Sequence, residues 1–101
     1  MSISAKASAD GSELCITIDG RFDFSSHQDF RKAYEEVEKA PERYVVDMSF
    51  TTYLDSSALG MLLLLRDHAG GDHANIRIVH CNEDVKKILS ISNFGQLFDI
   101  H

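Results

Sequence analysis

The sequence predicts a single α/β domain, built on a mixed, mostly parallel sheet of four to five strands with helices packed against it. Three observations predict it. The chain has 101 residues, a length that suits one domain with a core of its own. Short apolar runs of strand character alternate along it with segments of helical periodicity. It carries no internal repeat or low-complexity tract, and Pro41 is its only proline. Strands separated by helices pair in parallel, and right-handed crossovers then set the helices against the sheet.

The elements follow in order. The stretch "ISAKASADGSE" is expected as a first strand ending in the Asp10-Gly11 turn, a hairpin signal. "ELCITIDG" alternates as a strand over residues 13–19 and closes at Gly20. "RFDFSSHQDFRKAYEEVEKAPE" reads as helical. Ser25 with Gln28 fits a capping box, and Ser26 serves equally well as a cap. Phe30, Ala33, Tyr34 and Val37 form one apolar stripe, and Pro41 ends the helix. "RYVVDMSF" is the next strand and "TTYLD" a loop. A second helix opens near Ser56 and runs to about Ala69, where Gly70-Gly71 stops it. "ANIRIVH" is a further strand. "NEDVKKILSIS" is a helix capped by Asn82, with acids in its first turn and Lys86-Lys87 in its second. "NFGQLFDIH" is a short closing strand or helical turn.

One stretch stands out, "YLDSSALGMLLLLRD", where Asp55-Ser56-Ser57 leads into residues 58–65, apolar except for Gly60. A helix apolar on nearly every face needs cover beyond the sheet beneath it, from neighbouring helices or from a partner. Its N-terminus presents amides without helical partners, which Asp55 or Ser56 can cap. The same place tolerates an anion. Phosphorylation of a serine there adds about −1.5 to −2 charge. A hundredfold loss of affinity needs only about 2.7 kcal/mol, within reach of one like-charge contact at an interface. Such a serine could switch docking without unfolding its own domain. Asp47 and Ser49 are expected to hold the preceding loop by local hydrogen bonds.

Composition narrows the function classes. Apolar residues make up 44% and charged residues 26%, the balance of a soluble globular chain. A net charge of −6 with scattered basic residues argues against nucleic acid and anionic lipid as partners. No secretory signal or membrane-length apolar run is present, so no membrane insertion is expected. Cys15 and Cys81 are far apart, in apolar runs, and read as small buried hydrophobes, reduced as in the cytoplasm. The five histidines have no metal-ligand spacing, and no metal or other cofactor is expected.

These residues resemble the STAS domains, specifically the bacterial anti-sigma factor antagonists. In "VVDMSFTTYLDSSALGMLLLL" the likeness rests on Asp47, Ser49, Asp55, Ser56, Ser57, Leu59 and Gly60; "IDGRFD", residues 18–23, resembles an earlier family element. The likeness covers nearly the whole chain. Three features depart from the pattern. Ala58 stands where the family usually has glycine, Arg21-Phe22 replaces a usual Glu-Leu pair, and the chain stops soon after its last expected element, so no attached module is expected.

The resemblance implies a cytoplasmic, non-enzymatic binding module, monomeric when free. Its implied partners are an anti-sigma factor that is often a serine kinase, and a metal-dependent phosphatase. The serine after the motif aspartate, Ser56, is the implied phosphorylation site. Asp23, Asp55, Ser56, Ser57 and Leu59 are the implied partner-binding residues. An alternative reading is a STAS subunit docking on the ATPase of a membrane lipid or solute transport complex without phosphorylation. A third, an enzyme using Asp55 as base and Ser56 as nucleophile, has no histidine near it in sequence to support it.

Overall fold

The computed structural model describes residues 2–101. Among these residues six strands and three α-helices follow one another: β1 (Ser2–Ala7), β2 (Glu13–Phe22), α1 (His27–Glu35), β3 (Arg43–Asp47), β4 (Thr51–Leu54), α2 (Ser56–His68), β5 (Ile76–Val79), α3 (Glu83–Ile91) and β6 (Asp99–Ile100). Short 3-10 turns lie at Phe24–Ser26, Gly71–His73 and Phe94–Gln96. The sheet runs β1-β2-β3-β5-β6, with β4 beside β2. Only β1 is antiparallel to its neighbour, through the hairpin at Asp10-Gly11, where Gly11 takes φ +75°. The other pairings are parallel. The expected α/β class and mostly parallel sheet are present.

Alternation along β2, β3 and β5 builds the core. Leu14, Ile16, Ile18, Tyr44, Val46, Ile76 and Ile78 are buried, while Cys15, Thr17, Val45 and Asp47 between them are only half-buried. A period of two puts these sets on opposite faces, so one face is sealed and the other is partly open to solvent. Phe30 and Tyr34 of α1, Met61, Leu62 and Leu65 of α2, and Val85 and Leu89 of α3 complete one cluster with the sealed face.

Three expectations need correction. "TTYL" is a strand, not a loop, which brings the strand count to six. β3 pairs with residues 13–17 of β2, and β4 takes over at residues 20–22. Four residues with two polar threonines carry too little pattern to reveal this; the pairing is a tertiary event. Next, Arg21 and Phe22 extend β2 instead of starting a helix, and α1 ends at Glu35, well before Pro41. The chain leaves the helix because the amides of Glu42 and Arg43 reach the Ser12 carbonyl (2.8 and 3.1 Å) and Lys39 Nζ reaches the Asp10 carbonyl (3.2 Å). Val37 therefore packs on the core from outside the helix. Finally, Cys15 and Cys81 are free thiols but only half-buried, and Cys81 lies beyond β5. The closing segment holds both a 3-10 turn and a strand.

Candidate functional site

Two parallel strands deliver the site. Phe22 of β2 is in register with Leu54 of β4, so Asp23 and Asp55 each lie one residue beyond the same end of the pair. Both act as caps. The Asp55 backbone is extended (φ −119°, ψ −174°), and its carboxylate accepts the Ala58 amide at 3.0 Å. That satisfies one of the unpaired donors at the start of α2, and makes Asp55 rather than Ser56 the N-cap. Asp23 accepts the Ser25 amide (3.0 Å) and hydroxyl, opening the 3-10 turn that leads into α1. The Ser25 hydroxyl does most to hold the Asp23 carboxyl below the usual carboxylate range, with the Ser25 amide and Arg21 adding to it. The expected Ser25–Gln28 capping box is replaced by one between Asp23 and Ser26, whose hydroxyl accepts the Asp23 amide at 3.3 Å, while Ser26 holds the expected N-cap position of α1 without a side-chain bond to that helix. Ser26 is buried and donates to the Arg21 carbonyl at 3.3 Å.

Ser56 is the first residue of α2 and is exposed, while Ser57 beside it is half-buried. Among the described residues, the Ser56 hydroxyl takes part in no hydrogen bond, so it is open to an approaching reagent. Behind it α2 is anchored by the buried Ala58, Met61, Leu62 and Leu65. Its other flank stays bare: Gly60 is exposed, and Leu63 and Leu64 keep 43% and 50% of their surface in water. Spacings of four and then three or four residues align Ser56, Gly60, Leu63 and Leu64 along one side of the helix. The cover this apolar helix calls for is thus only partly supplied from within the chain. Leu59 is half-buried and packs against the core, so the more accessible leucines of α2 are Leu63 and Leu64.

The surroundings hold exposed aromatic residues the sequence reading passed over, and give Arg21 its contacts. Tyr53 is in register with Arg21, and the register shifts between Gly20 and Arg21, so Thr52 is the extra residue on β4. Such bulges re-aim side chains. Here the Arg21 guanidinium lies 4.0 Å from the centre of the Tyr53 ring, and its Nε sits 3.3 Å from Asp23 Oδ2. Phe24 and Phe50 are also largely exposed. Alternation hides such residues, because an exposed aromatic in a short strand or turn looks like any core aromatic in sequence. Asp47 accepts from the Ser49 amide (3.0 Å) and hydroxyl (2.8 Å), holding the loop before β4 as expected. Asn82, the cap of α3, donates to the Thr51 carbonyl at 3.1 Å and ties that helix to β4.

No group of three or more metal-ligating side chains gathers among the described residues. No helix among them is long and apolar enough to cross a membrane.

A family model described as "Mlab, STAS domain" matches residues 5–99. The chain belongs to the STAS-domain family. A STAS-domain containing protein of Pseudomonas aeruginosa (strain UCBPP-PA14) is 66% identical over 100 residues, covering 99% of both chains. Among solved structures, this STAS domain is similar to the anti-sigma factor antagonist SpoIIAA in its unphosphorylated form. The TM-score is 0.75 at 12% identity, covering 99% of this chain and 87% of that one. The phosphorylated form of SpoIIAA, from Bacillus, gives a TM-score of 0.68 at 12% identity, over 99% of this chain and 91% of that one. A sulfate transporter family protein from Wolinella succinogenes also gives 0.75 at 12% identity, over 90% of this chain and 73% of that one. At such identities the likeness establishes the fold alone, and the fold is common to an antagonist and a transporter-family protein.

Proposed function

We propose that this STAS domain is an anti-sigma factor antagonist whose docking is switched by phosphorylation of Ser56. Unmodified, it binds an anti-sigma factor of the serine-kinase type and releases that protein's sigma factor or other target. The kinase moves the γ-phosphoryl group of ATP onto Ser56 Oγ, ADP departs, and the hydroxyl proton passes to a base on the kinase. The phosphorylated domain lets go, and a metal-dependent phosphatase hydrolyses the ester to restore it. Asp23, Asp55, Ser57 and the bare flank of α2 form the docking surface, in a cytoplasmic protein that is monomeric when free and performs no catalysis.

The observation that carries this reading is the setting of Ser56. Its hydroxyl is exposed on the first turn of a helix whose cap is supplied by the neighbouring Asp55 and whose far side is locked in the core. A phosphate there meets the favourable end of the helix dipole, so the fold tolerates it. A partner seated on Leu63 and Leu64 meets a new double charge at the edge of an apolar contact.

The test is reconstitution with the cognate kinase and ATP, read by intact mass and peptide mapping. One phosphate is expected, on Ser56, with loss of the complex. Ser56→Ala should bind constitutively and Ser56→Asp should bind at least tenfold more weakly. Phosphate on Ser57, or equal binding by the two variants, would refute the scheme. The second reading, a permanently docked transport subunit, draws support from the fold shared with a transporter-family protein. It predicts a complex that persists whatever the supply of ATP or phosphatase.

A further inference from the structure

Phosphorylation of Ser56 would place a double negative charge beside two carboxylates already present, Asp55 next to it in the chain and Asp23 at the same end of the β2–β4 pair. Within residues 18–24 and 50–59 the chain carries a single cation, Arg21. The structure leaves that cation loosely committed. Its side chain is 62% exposed, and its contact with Asp23 is a single 3.3 Å approach through Nε. Exposed pairs of this kind contribute little. Its other partner is the Tyr53 ring, an uncharged face.

A guanidinium prefers a phosphate to either of these, because two parallel N–H donors match two phosphate oxygens. The bulge at Thr52 sets Arg21 against Tyr53, three residues before Ser56. Three residues of extended chain cover about 10 Å. Two side chains reaching toward each other, a long arginine and a phosphoserine, bridge such a gap.

We propose that Arg21 is the internal receptor of the Ser56 phosphate, drawn off the Tyr53 ring and the Asp23 carboxylate when Ser56 is modified, so that phosphorylation remodels the docking surface as well as charging it. The inference rests on Ser56 being the modified residue. It adds two consequences that a bare charge would not have: the Tyr53 ring is uncovered and Asp23 Oδ2 loses its arginine contact, while Oδ1 keeps its bonds to Ser25. It also assigns a role to Arg21, the one cation of these two stretches.

The experiment uses the full chain with phosphoserine installed at position 56 during translation, so no kinase is needed. The second ionisation of the phosphate is followed by phosphorus NMR, and the Tyr53 ring by proton NMR, in the parent protein, Arg21→Gln and Arg21→Lys. The neighbouring charged or titratable groups, which include Asp19 and Asp23 at the end of β2, Asp55, His27 and Asp29 at the start of α1, and Glu83 and Asp84 at the start of α3, are retained throughout. The parent phosphate is expected to titrate about one pH unit lower than in Arg21→Gln, with Arg21→Lys in between. The Tyr53 ring signals should move on phosphorylation only when Arg21 is present. Identical titrations in the parent and Arg21→Gln, or a Tyr53 ring that ignores the phosphate, would overturn the proposal. Neither readout involves the partner, so failure here leaves the docking switch standing, and equal binding by Ser56→Ala and Ser56→Asp would defeat the switch alone.

Discussion

Replacing Asp55 by alanine tests whether the entrance of α2 is held by the cap the structure shows. The substitution removes one acceptor, the oxygen 3.0 Å from the Ala58 amide, and leaves that amide part-buried without a protein partner. Losing an N-cap of this type costs about 1 kcal/mol, within a range of roughly 0.5–2. In a domain of this size that lowers Tm by about 4–8 °C for each kcal/mol. The loss should stay local, because Met61, Leu62 and Leu65 keep the rest of the helix in the core. An asparagine side chain retains the acceptor oxygen, so Asp55→Asn should remain within about 0.5 kcal/mol of the parent. Urea unfolding followed by circular dichroism gives the stabilities, and hydrogen exchange at residues 57–59 locates the effect. An Asp55→Ala protein as stable and as protected as the parent would show that the cap does not hold the entrance. An Asp55→Asn protein as weak as Asp55→Ala would transfer the effect from the hydrogen bond to the charge.

Two further outcomes are expected. A Cβ at Gly60 meets nothing within 4 Å, so Gly60→Ala should raise stability by about 0.5–1 kcal/mol in the same urea assay through lower unfolded-state entropy and better helix propensity; because Gly60 lies on the bare flank beside Ser56, the methyl should also weaken partner docking. Asp10 is held far below the usual carboxylate range, chiefly by the Ser12 hydroxyl, then by the Ser12 amide and the Ser8 hydroxyl. Its folded pKa lies below its unfolded value near 3.9, so its stabilisation is complete above that pH and is lost as pH falls toward the folded value. The stability gap between the parent and Asp10→Asn should therefore narrow steadily below about pH 4, as measured by unfolding at a series of pH values.

How much of this was legible in the chain depends on the length over which each pattern runs. The alternation of β2 and the apolar stripe of Phe30, Ala33 and Tyr34 repeat often enough to declare themselves, as do the caps and stops of α2 and α3. The element order, the parallel core and the entrance at Asp55 follow from them. β4 was not legible, because Thr51–Leu54 is short and half polar and gains its identity by pairing with the last residues of β2. The premature end of α1 was hidden for a similar reason: the bonds that draw residues 39–43 away come from the distant turn at residues 10–12.

The candidate site divides along the same line. Local order alone determined that an acid and two serines precede an apolar helix, because capping acts between residues three apart. Only the tertiary structure decided that Ser56 faces outward while Ser57 is partly covered, that Leu63 and Leu64 lack cover when Leu62 and Leu65 have it, and that Arg21 lies across the Tyr53 ring. Each of these depends on the angle at which α2 meets the sheet or on the register between two strands. Both are settled by packing between residues far apart in sequence, which no local pattern records.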